Sequence, residues 1–298
     1  MGIIWYAIFP THQSRLLNYF GQSRQSSRPH VWWCPTGPLA HLPIHAAGIY
    51  NSEKTHAGPC VSDFVVSSYT PTVSALIERT KLPQISNETP TRLLLVSQPN
   101  TPGLPYIPAA RAETRALKQM MEKNNIASVL IEDATATAAR VTKEMNTHTW
   151  VHFACHGIQD REPLKSGLHL YDRRLELLEM MKQRISDADH SFLSACQTGT
   201  GDKQLADEVV HIAAGMLALG YRGVVATLWS ISDFHGPEIA QDFYQYMIDV
   251  RSGGAAGRWL DSTQAAYALD HSIQKIREKL GDGEAALAIW VPYVHYGI

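Results

Sequence analysis

Two segments of the chain place a reactive side chain at the end of an apolar run. Residues 151–157 read Val-His-Phe-Ala-Cys-His-Gly, and residues 192–199 read Phe-Leu-Ser-Ala-Cys-Gln-Thr-Gly. His156 closes the first run and Cys196 closes the second. In open parallel sheets, ligands bind beyond the carboxyl ends of the strands. We therefore expect His156 and Cys196 to lie at the carboxyl ends of adjacent parallel strands, with their side chains facing one cleft.

A cysteine and a histidine in that arrangement can carry out nucleophilic catalysis. A thiol has an unperturbed pKa of about 8.5, so it is mostly protonated at neutral pH. A neighbouring imidazole favours the thiolate, and the imidazolium can later protonate a leaving amine. Gly157 lets a backbone approach closely, and its N–H together with that of Cys196 could form an oxyanion hole. The same residue types also occur as buried structural groups, so the pair alone leaves both roles open.

Alternating strands and helices are predicted from residue 91 onward. The apolar runs and helical spacing predict an α/β fold, in which a mostly parallel sheet carries helices on both faces. Strands are predicted at 92–97, 127–131, 150–155, 191–196 and 223–229, and helices at 109–123, 135–145, 206–219, 237–250 and 262–280. A hairpin is predicted around residues 172–174 and a short helix at 178–183.

Residues 1–90 have a less regular pattern, in which Pro, Gly, Ser and His recur. Only one helix is expected there, at about 72–81. We interpret 1–90 as an irregular accessory N-terminal subdomain and 91–298 as the core domain. Two loops, 99–108 and 197–204, are expected to border the cleft and to be mobile, because long loops at strand ends often carry function.

Composition restricts the class of protein and its partners. The 298 residues include 26 basic and 28 acidic side chains, a net charge of −2. No basic stripe indicates nucleic-acid binding, and no apolar run reaches the ~18 residues that span a membrane. Four widely spaced cysteines favour a reducing, cytoplasmic location. Charged residues make up only 18% of the chain, which indicates that a partner or another part of a longer protein covers some of its surface.

Five ordered segments resemble motifs of the CHAT family, caspase-like domains that are often joined to tetratricopeptide repeats. Residues 154–157 resemble its A-T-H-G motif, and 193–199 its L-S-A-C-E-T-G motif. Residues 163–170 resemble P-L-x-S-x-L-x-L, 225–233 resemble V-x-x-L-W-x-x-x-D, and 290–297 resemble the closing W-x-x-F-x-x-x-G. Residues 35–47 resemble the opening segment of the family, so the likeness runs in order over about 31–298. Several motifs in order are far more specific than any one of them.

The resemblance implies a caspase-like cysteine-type endopeptidase, in the clan of caspases and separase. His156 would be the general base and Cys196 the nucleophile, and the N–H groups of Gly157 and Cys196 would form the oxyanion site. Neither a third carboxylate nor a metal or cofactor is implied. The expected partners are a protein substrate and a repeat-containing or regulatory protein region. Cys155 and Gln197 stand where the family usually has Thr and Glu, and neither is expected to remove activity.

The resemblance also assigns a substrate-binding segment, formed by Trp229, Ser230 and Asp233. In caspase-like peptidases the backbone after this strand pairs with an extended peptide. Trp229 would form an apolar wall, and Asp233 could pair with a basic side chain before the scissile bond. Alternatively, Asp233 caps the helix that follows.

Two other functions compete with the peptidase. His152, Cys155, His156 and Cys196 are all of zinc-ligand type. On a strand, however, Cys155 should point away from both histidines, as a packed core thiol. The second alternative is a catalytically silent CHAT pseudo-peptidase that acts as a protein-interaction module.

Overall fold

A computed structural model describes residues 28–50, 58–81, 90–158, 160, 162–183, 185, 187–197, 209–229, 231, 234–251, 259–281 and 283–298. For residues 195–197 and 209–211, and for Pro38 and His41, only the backbone is described.

Ten strands of the described chain form one sheet. The main path runs in the order β1-β2-β10-β9-β8-β5-β3-β4, and the β6–β7 hairpin extends from β5. All neighbours are parallel except β10 with β9, β6 with β5, and β6 with β7. The strands are β1 His30–Trp33, β2 Val66–Tyr69, β3 Arg92–Ser97, β4 Ala127–Glu132, β5 Trp150–Ile158, β6 Gly167–His169, β7 Arg174–Glu176, β8 His190–Gln197, β9 Gly223–Thr227 and β10 Tyr293–Gly297.

Helices cover both faces of this sheet. They are α1 Val73–Thr80, α2 Pro108–Lys123, α3 Ala138–Met145, α4 Leu177–Met180, α5 Val209–Ala218, α6 Gly236–Asp249, α7 Ala265–Leu280 and α8 Glu284–Trp290. Pro108 opens α2, where its missing N–H costs no hydrogen bond, and Gly281, with φ of +74°, ends α7. No helix in the described ranges is long and apolar enough to cross a membrane.

Two apolar clusters hold the layers together, one on each face. The first joins α2, α6 and α7 to residues such as Leu93, Trp150 and Phe192. The second joins α3 and α5 to the alternate residues of the same strands, such as Leu94 and Phe153. Because successive strand residues point to opposite faces, the continuous apolar runs of the sequence fill both clusters. The predicted fold class is therefore confirmed.

The N-terminal segment contributes to the same sheet. Strands β1 and β2 extend it beyond β10, and Trp32 Nε1 donates to the carbonyl of Gly297 over 2.8 Å. His45 is buried between Tyr69 Oη, at 2.8 Å, and the carbonyl oxygen of Val291, at 3.0 Å. The division of the chain at residue 90 stays a prediction.

The predicted elements lie within a few residues of the observed ones, although two boundaries differ and two elements were not predicted. Strand β9 ends at Thr227 rather than at 229, because its antiparallel partner β10 begins at Tyr293 and the preceding Pro292 has no N–H to extend the ladder. The predicted helix at 135–145 is a 3-10 turn, Asp133–Thr135, followed by α3. The pattern also missed α8 and β10.

Candidate active site

Strands β5 and β8 run side by side in parallel from end to end. Trp150 is the register partner of His190 at the amino end, and His156 is the register partner of Cys196 at the carboxyl end. The two positions singled out from sequence therefore lie next to each other on adjacent parallel strands. The side chain of Cys196 is outside the described part of the chain, so the contact between thiol and imidazole stays a prediction.

His156 lies at the carboxyl end of β5, two residues before the strand ends at Ile158. Strand β3 pairs with β5 only as far as Ala154. Beyond that point the β6 edge takes its place, and His156 pairs with His169. The hairpin thus prolongs β5 to Ile158 and holds the backbone of His156 in extended geometry.

One hydrogen bond defines the protonation pattern of the His156 ring. His156 Nε2 lies 2.7 Å from the carbonyl oxygen of Pro105. A carbonyl only accepts, so Nε2 carries the hydrogen, and in a neutral imidazole Nδ1 then holds the lone pair. This Nδ1 is buried and has no hydrogen-bond partner among the described residues. The backbone carbonyl therefore fixes the tautomer of the neutral ring.

Pro105 belongs to the loop that was expected to border the cleft. A turn closes this loop, since Leu104 N donates to the carbonyl of Thr101 over 3.1 Å, with Gly103 at φ +80°. Ile107 N donates to the carbonyl of Pro99 over 3.0 Å. These bonds join the two sides of the loop, and the Pro105 carbonyl places it in contact with His156. The predicted mobility is untested, and residues 198–204 of the second loop are outside the described ranges.

Gly157, assigned from sequence to the oxyanion site, lies between two strands. It is the register partner of Leu168 on β6 and of Gln197 on β8. On β6 the neighbouring Gly167 is required sterically, because a Cβ there would lie 2.2 Å from the carbonyl oxygen of Leu175. Gly167 therefore lets β6 and β7 approach each other closely within the hairpin that lies beside Gly157. The donor role of the Gly157 and Cys196 N–H groups stays a prediction.

The sequence analysis missed a buried carboxylate, which lies below His156 and Cys196 on the same face of the sheet. Glu113 on α2 is 2% exposed. Its Oε1 accepts from His152 Nε2 over 2.7 Å, and its Oε2 accepts from Ser194 Oγ over 3.1 Å. The hydroxyl of Tyr244 lies 3.4 Å from His152 Nδ1. Burial, and secondarily the charge of Glu113, raise the pKa of Tyr244, which keeps its hydroxyl protonated.

A signal for Glu113 was present in the helical pattern. Glu113, Leu117 and Met121 follow one another at four-residue spacing, and all three are buried. A charged residue within the apolar stripe of an amphipathic helix is costly to bury unless it is paired. The partner itself, His152, is visible only in three dimensions.

The predicted substrate segment is described only in part. Trp229 is half-buried and packs against the α2–α6–α7 cluster. It follows the end of β9 and does not belong to the strand. Ser230 and Asp233 are outside the described residues, so their roles stay predictions. The neighbouring Phe234, just before α6, is 81% exposed.

Cys155 is a core thiol, as predicted. It is fully buried in the α3–α5 cluster, whereas His152 stacks on Phe192 in the opposite cluster, with ring centroids 4.8 Å apart. Cys155 and His152 therefore lie on different faces of the sheet, as strand alternation requires. Within the described ranges no group of three His, Cys, Asp or Glu residues is arranged to hold a metal ion.

Solved structures with the same fold include cysteine proteases. The Arg-specific cysteine proteinase gingipain R (RGPB) gives a TM-score of 0.57 at 8% identity, over 97% of this chain and 68% of that one. The complex of Porphyromonas gingivalis RgpB pro- and mature domains gives 0.54 at 9%, over 97% and 69%. Saccharomyces cerevisiae separase, in its securin complex at 3.0 Å, gives 0.50 at 16%, over 80% of this chain but only 14% of that one. Identities this low establish a shared fold alone.

At the level of sequence, no curated protein matches the chain significantly. The model of the CHAT domain, in contrast, matches residues 4–298. This range includes both strand ends, the hairpin between them and the C-terminal strand. The order of motifs, the caspase-like sheet and the family match agree, and the chain belongs to the CHAT domain family.

Proposed function

We propose that the chain is a cysteine endopeptidase that cleaves protein substrates through His156 and Cys196. The observation that carries this proposal is the state of His156. Its Nε2 is committed to the Pro105 carbonyl, its Nδ1 has no described partner, and its register partner on β8 is Cys196. Register partners on parallel strands share a face of the sheet. The lone pair on His156 Nδ1 can therefore accept the proton of a thiol at position 196.

The proposed reaction proceeds in two steps. His156 Nδ1 takes the proton of the Cys196 thiol, and the thiolate sulfur attacks the scissile carbonyl carbon. The tetrahedral intermediate collapses as the imidazolium gives its proton to the leaving amine, which leaves an acyl-enzyme. A water molecule, deprotonated by the same imidazole, then attacks the thioester carbonyl, and the released thiolate regains a proton. The N–H groups of Gly157 and Cys196 would stabilise the oxyanion in both steps.

The proposal assigns substrate contacts to the segment after β9. Trp229 and Ser230 would border an extended peptide, and Asp233 would pair with a basic side chain before the scissile bond. One fold neighbour is named as Arg-specific, which makes Arg the first residue to test there. The alternative for Asp233, a cap on α6, predicts no effect on specificity.

Cleavage-site profiling with a peptide library tests the proposal. We expect wild-type protein to cut a defined set of peptides and Cys196→Ala and His156→Ala each to abolish cleavage. Cys34→Ala is the matched control, since Cys34 is a partly exposed thiol remote in sequence from the site. Retained activity in either dyad variant would refute the assigned role.

Covalent labelling separates an enzyme from a silent interaction module. A scaffold needs no activated thiol, whereas a peptidase should react with a peptidyl electrophile at Cys196 far faster than at Cys34. Matched peptides with Arg, Lys, Met, Leu or Asp before the scissile bond complete the test. If Leu or Met is preferred and Asp233→Ala leaves the ranking unchanged, the assignment of Asp233 is wrong.

A further inference from the structure

The carboxylate of Glu113 ties together the two strands that carry the proposed dyad. We infer that Glu113 is a positioning residue, which fixes β8 against β5 and so sets the geometry of His156 and Cys196. This inference rests on the proposed function. It adds to the proposed site a residue that lies outside the motifs of the family resemblance.

The two hydrogen bonds of Glu113 end on different strands. His152 belongs to β5 and Ser194 to β8, at 2.7 and 3.1 Å from the two carboxylate oxygens. His152 precedes His156 by four residues, and Ser194 precedes Cys196 by two. At about 3.3 Å per residue, these anchors lie roughly 13 and 7 Å below the dyad positions. A slip of one strand along the other would break one of the two bonds.

Burial makes these bonds hard to replace. Glu113 is 2% exposed, His152 is fully buried and Ser194 is 8% exposed. Water has little access to this site, so a group that loses its partner stays unsatisfied. The carboxylate also adjoins the start of α6, since a Cβ on Gly236 would lie 3.3 Å from Glu113 Oε2. The N-terminal end of a helix favours a negative charge there.

The same helix carries the acceptor of His156. Helix α2 begins at Pro108, three residues after Pro105, whose carbonyl accepts from His156 Nε2. Glu113 lies in the second turn of this helix, and its hydrogen bonds to His152 and Ser194 connect the helix to both strands. A single side chain therefore couples the strand of the nucleophile, the strand of the base and the loop that orients the base. No other described carboxylate makes all three connections.

Asp189 provides a matched control. It is also a buried carboxylate, and it also accepts from β5, through Trp150 Nε1 at 2.8 Å. Its second donor is Ser262 Oγ, at 2.5 Å. It precedes β8 at the opposite, amino end of the strand pair. Removing Asp189 should therefore lower stability as the removal of Glu113 does, without moving the dyad.

The test measures kcat and KM of Glu113→Ala, Glu113→Gln and Asp189→Ala below their melting temperatures. We expect Glu113→Ala to lower kcat by about tenfold or more with KM within about twofold, because small displacements of reacting groups cost rate. Glu113→Gln should recover most of this loss, since its amide oxygen can accept from His152 and its amide nitrogen can donate to Ser194. Asp189→Ala should keep kcat within about twofold. Equal losses in Glu113→Ala and Asp189→Ala, or a change in KM alone, would overturn the inference.

Two further measurements keep the test decisive. If Glu113→Ala does not fold, Ser194→Ala removes one of the two bonds, and an unchanged kcat there would overturn the inference. The rate of iodoacetamide alkylation at Cys196, with Cys34 as internal reference, needs no substrate. Loss of this rate in Glu113→Ala, in a protein that cleaves no peptide, would support the positioning role while the peptidase proposal fails. If the wild-type protein is active and Glu113→Ala changes neither the alkylation rate nor kcat, the positioning role fails while the peptidase proposal stands.

Discussion

The two ends of the β5–β8 strand pair use the same residue types in different ways. At the carboxyl end, His156 contacts the loop that contains Pro105, and Glu113 links the two strands. At the amino end, His190 is fully buried, and Asp189 accepts from Trp150. Each end thus has a histidine on the same face of the sheet and a buried carboxylate nearby. The difference lies in what surrounds the imidazoles.

His190 shows that an imidazole without hydrogen bonds is not by itself a base. Both of its ring nitrogens lack partners among the described residues. Its ring stacks on Phe243 and lies 4.6 Å from the ring of Trp150, and burial lowers its pKa to about 3. Gly223 leaves the space this ring occupies, since a Cβ there would lie 2.9 Å from His190 Nδ1. His156 differs because one nitrogen has an acceptor, which fixes where its lone pair lies.

The largest expected effect separates these two histidines. His156→Ala should lower kcat by about 10²–10⁴-fold, the usual contribution of a general base, and, because the ring is 1% exposed, should also lower the free energy of unfolding. His190→Ala should leave kcat within about twofold and lower the free energy of unfolding by about 2–4 kcal/mol, because it opens a cavity. Steady-state kinetics and denaturant unfolding of both variants give the comparison. A loss of kcat in His190→Ala as large as in His156→Ala would remove the functional distinction between the ends.

The second effect concerns the carboxylate at the amino end. Burial raises the pKa of Asp189 to about 6, against the hydrogen bonds from Ser262 and Trp150, which lower it. The folded protein therefore binds more protons than the unfolded chain between about pH 4 and 6. Stability from this group is full below pH 4 and is lost as pH rises to about 6. The ionised carboxylate then costs about 3 kcal/mol, from about two pKa units.

Asp189→Asn should remove that cost. Its amide oxygen can accept from Trp150 and its amide nitrogen can donate to Ser262, so both contacts persist. We expect the variant to exceed wild type in free energy of unfolding by up to about 3 kcal/mol at pH 7–8, and to equal it near pH 4. Urea unfolding across this pH range measures the difference in free energy of unfolding between the two proteins. The buried histidines contribute equally to both, so their contribution cancels. A variant less stable than wild type at pH 8 would contradict the sign.

Sequence pattern was sufficient for features that repeat along the chain. The runs at 92–97, 150–155 and 191–196 have apolar side chains on both faces, as is typical of strands within a covered parallel sheet. Because each of two such runs ended in a reactive residue, their adjacency could be predicted. The hairpin around residues 172–174 followed from alternation and turn residues.

The missed features depend on groups that sequence pattern does not reveal. The acceptor for His156 is a backbone carbonyl at Pro105, which every residue possesses. Strand β10 is short and gains its place from pairing with β9, not from its own periodicity. Glu113 was detectable as a charge within an apolar stripe, but its partner lies 39 residues away in the chain. Residues 230 and 233 are not described, so the specificity assignment rests on motif resemblance alone.

The smallest expected effect concerns the loop whose carbonyl accepts from His156. Pro105 has a fixed φ angle, which limits the positions that its carbonyl can take. Pro105→Gly keeps the carbonyl but adds backbone freedom, so the bond to His156 Nε2 should be made in fewer molecules. We expect kcat to fall by up to about tenfold, or about 1.4 kcal/mol, with little change in KM. Pro102→Gly is the matched control, since Pro102 is an exposed proline of the same loop, in the turn closed by Thr101 and Leu104. Equal losses of kcat in the two variants would mean that order of the whole loop, and not the Pro105 carbonyl, distinguishes this end of the strand pair from the other.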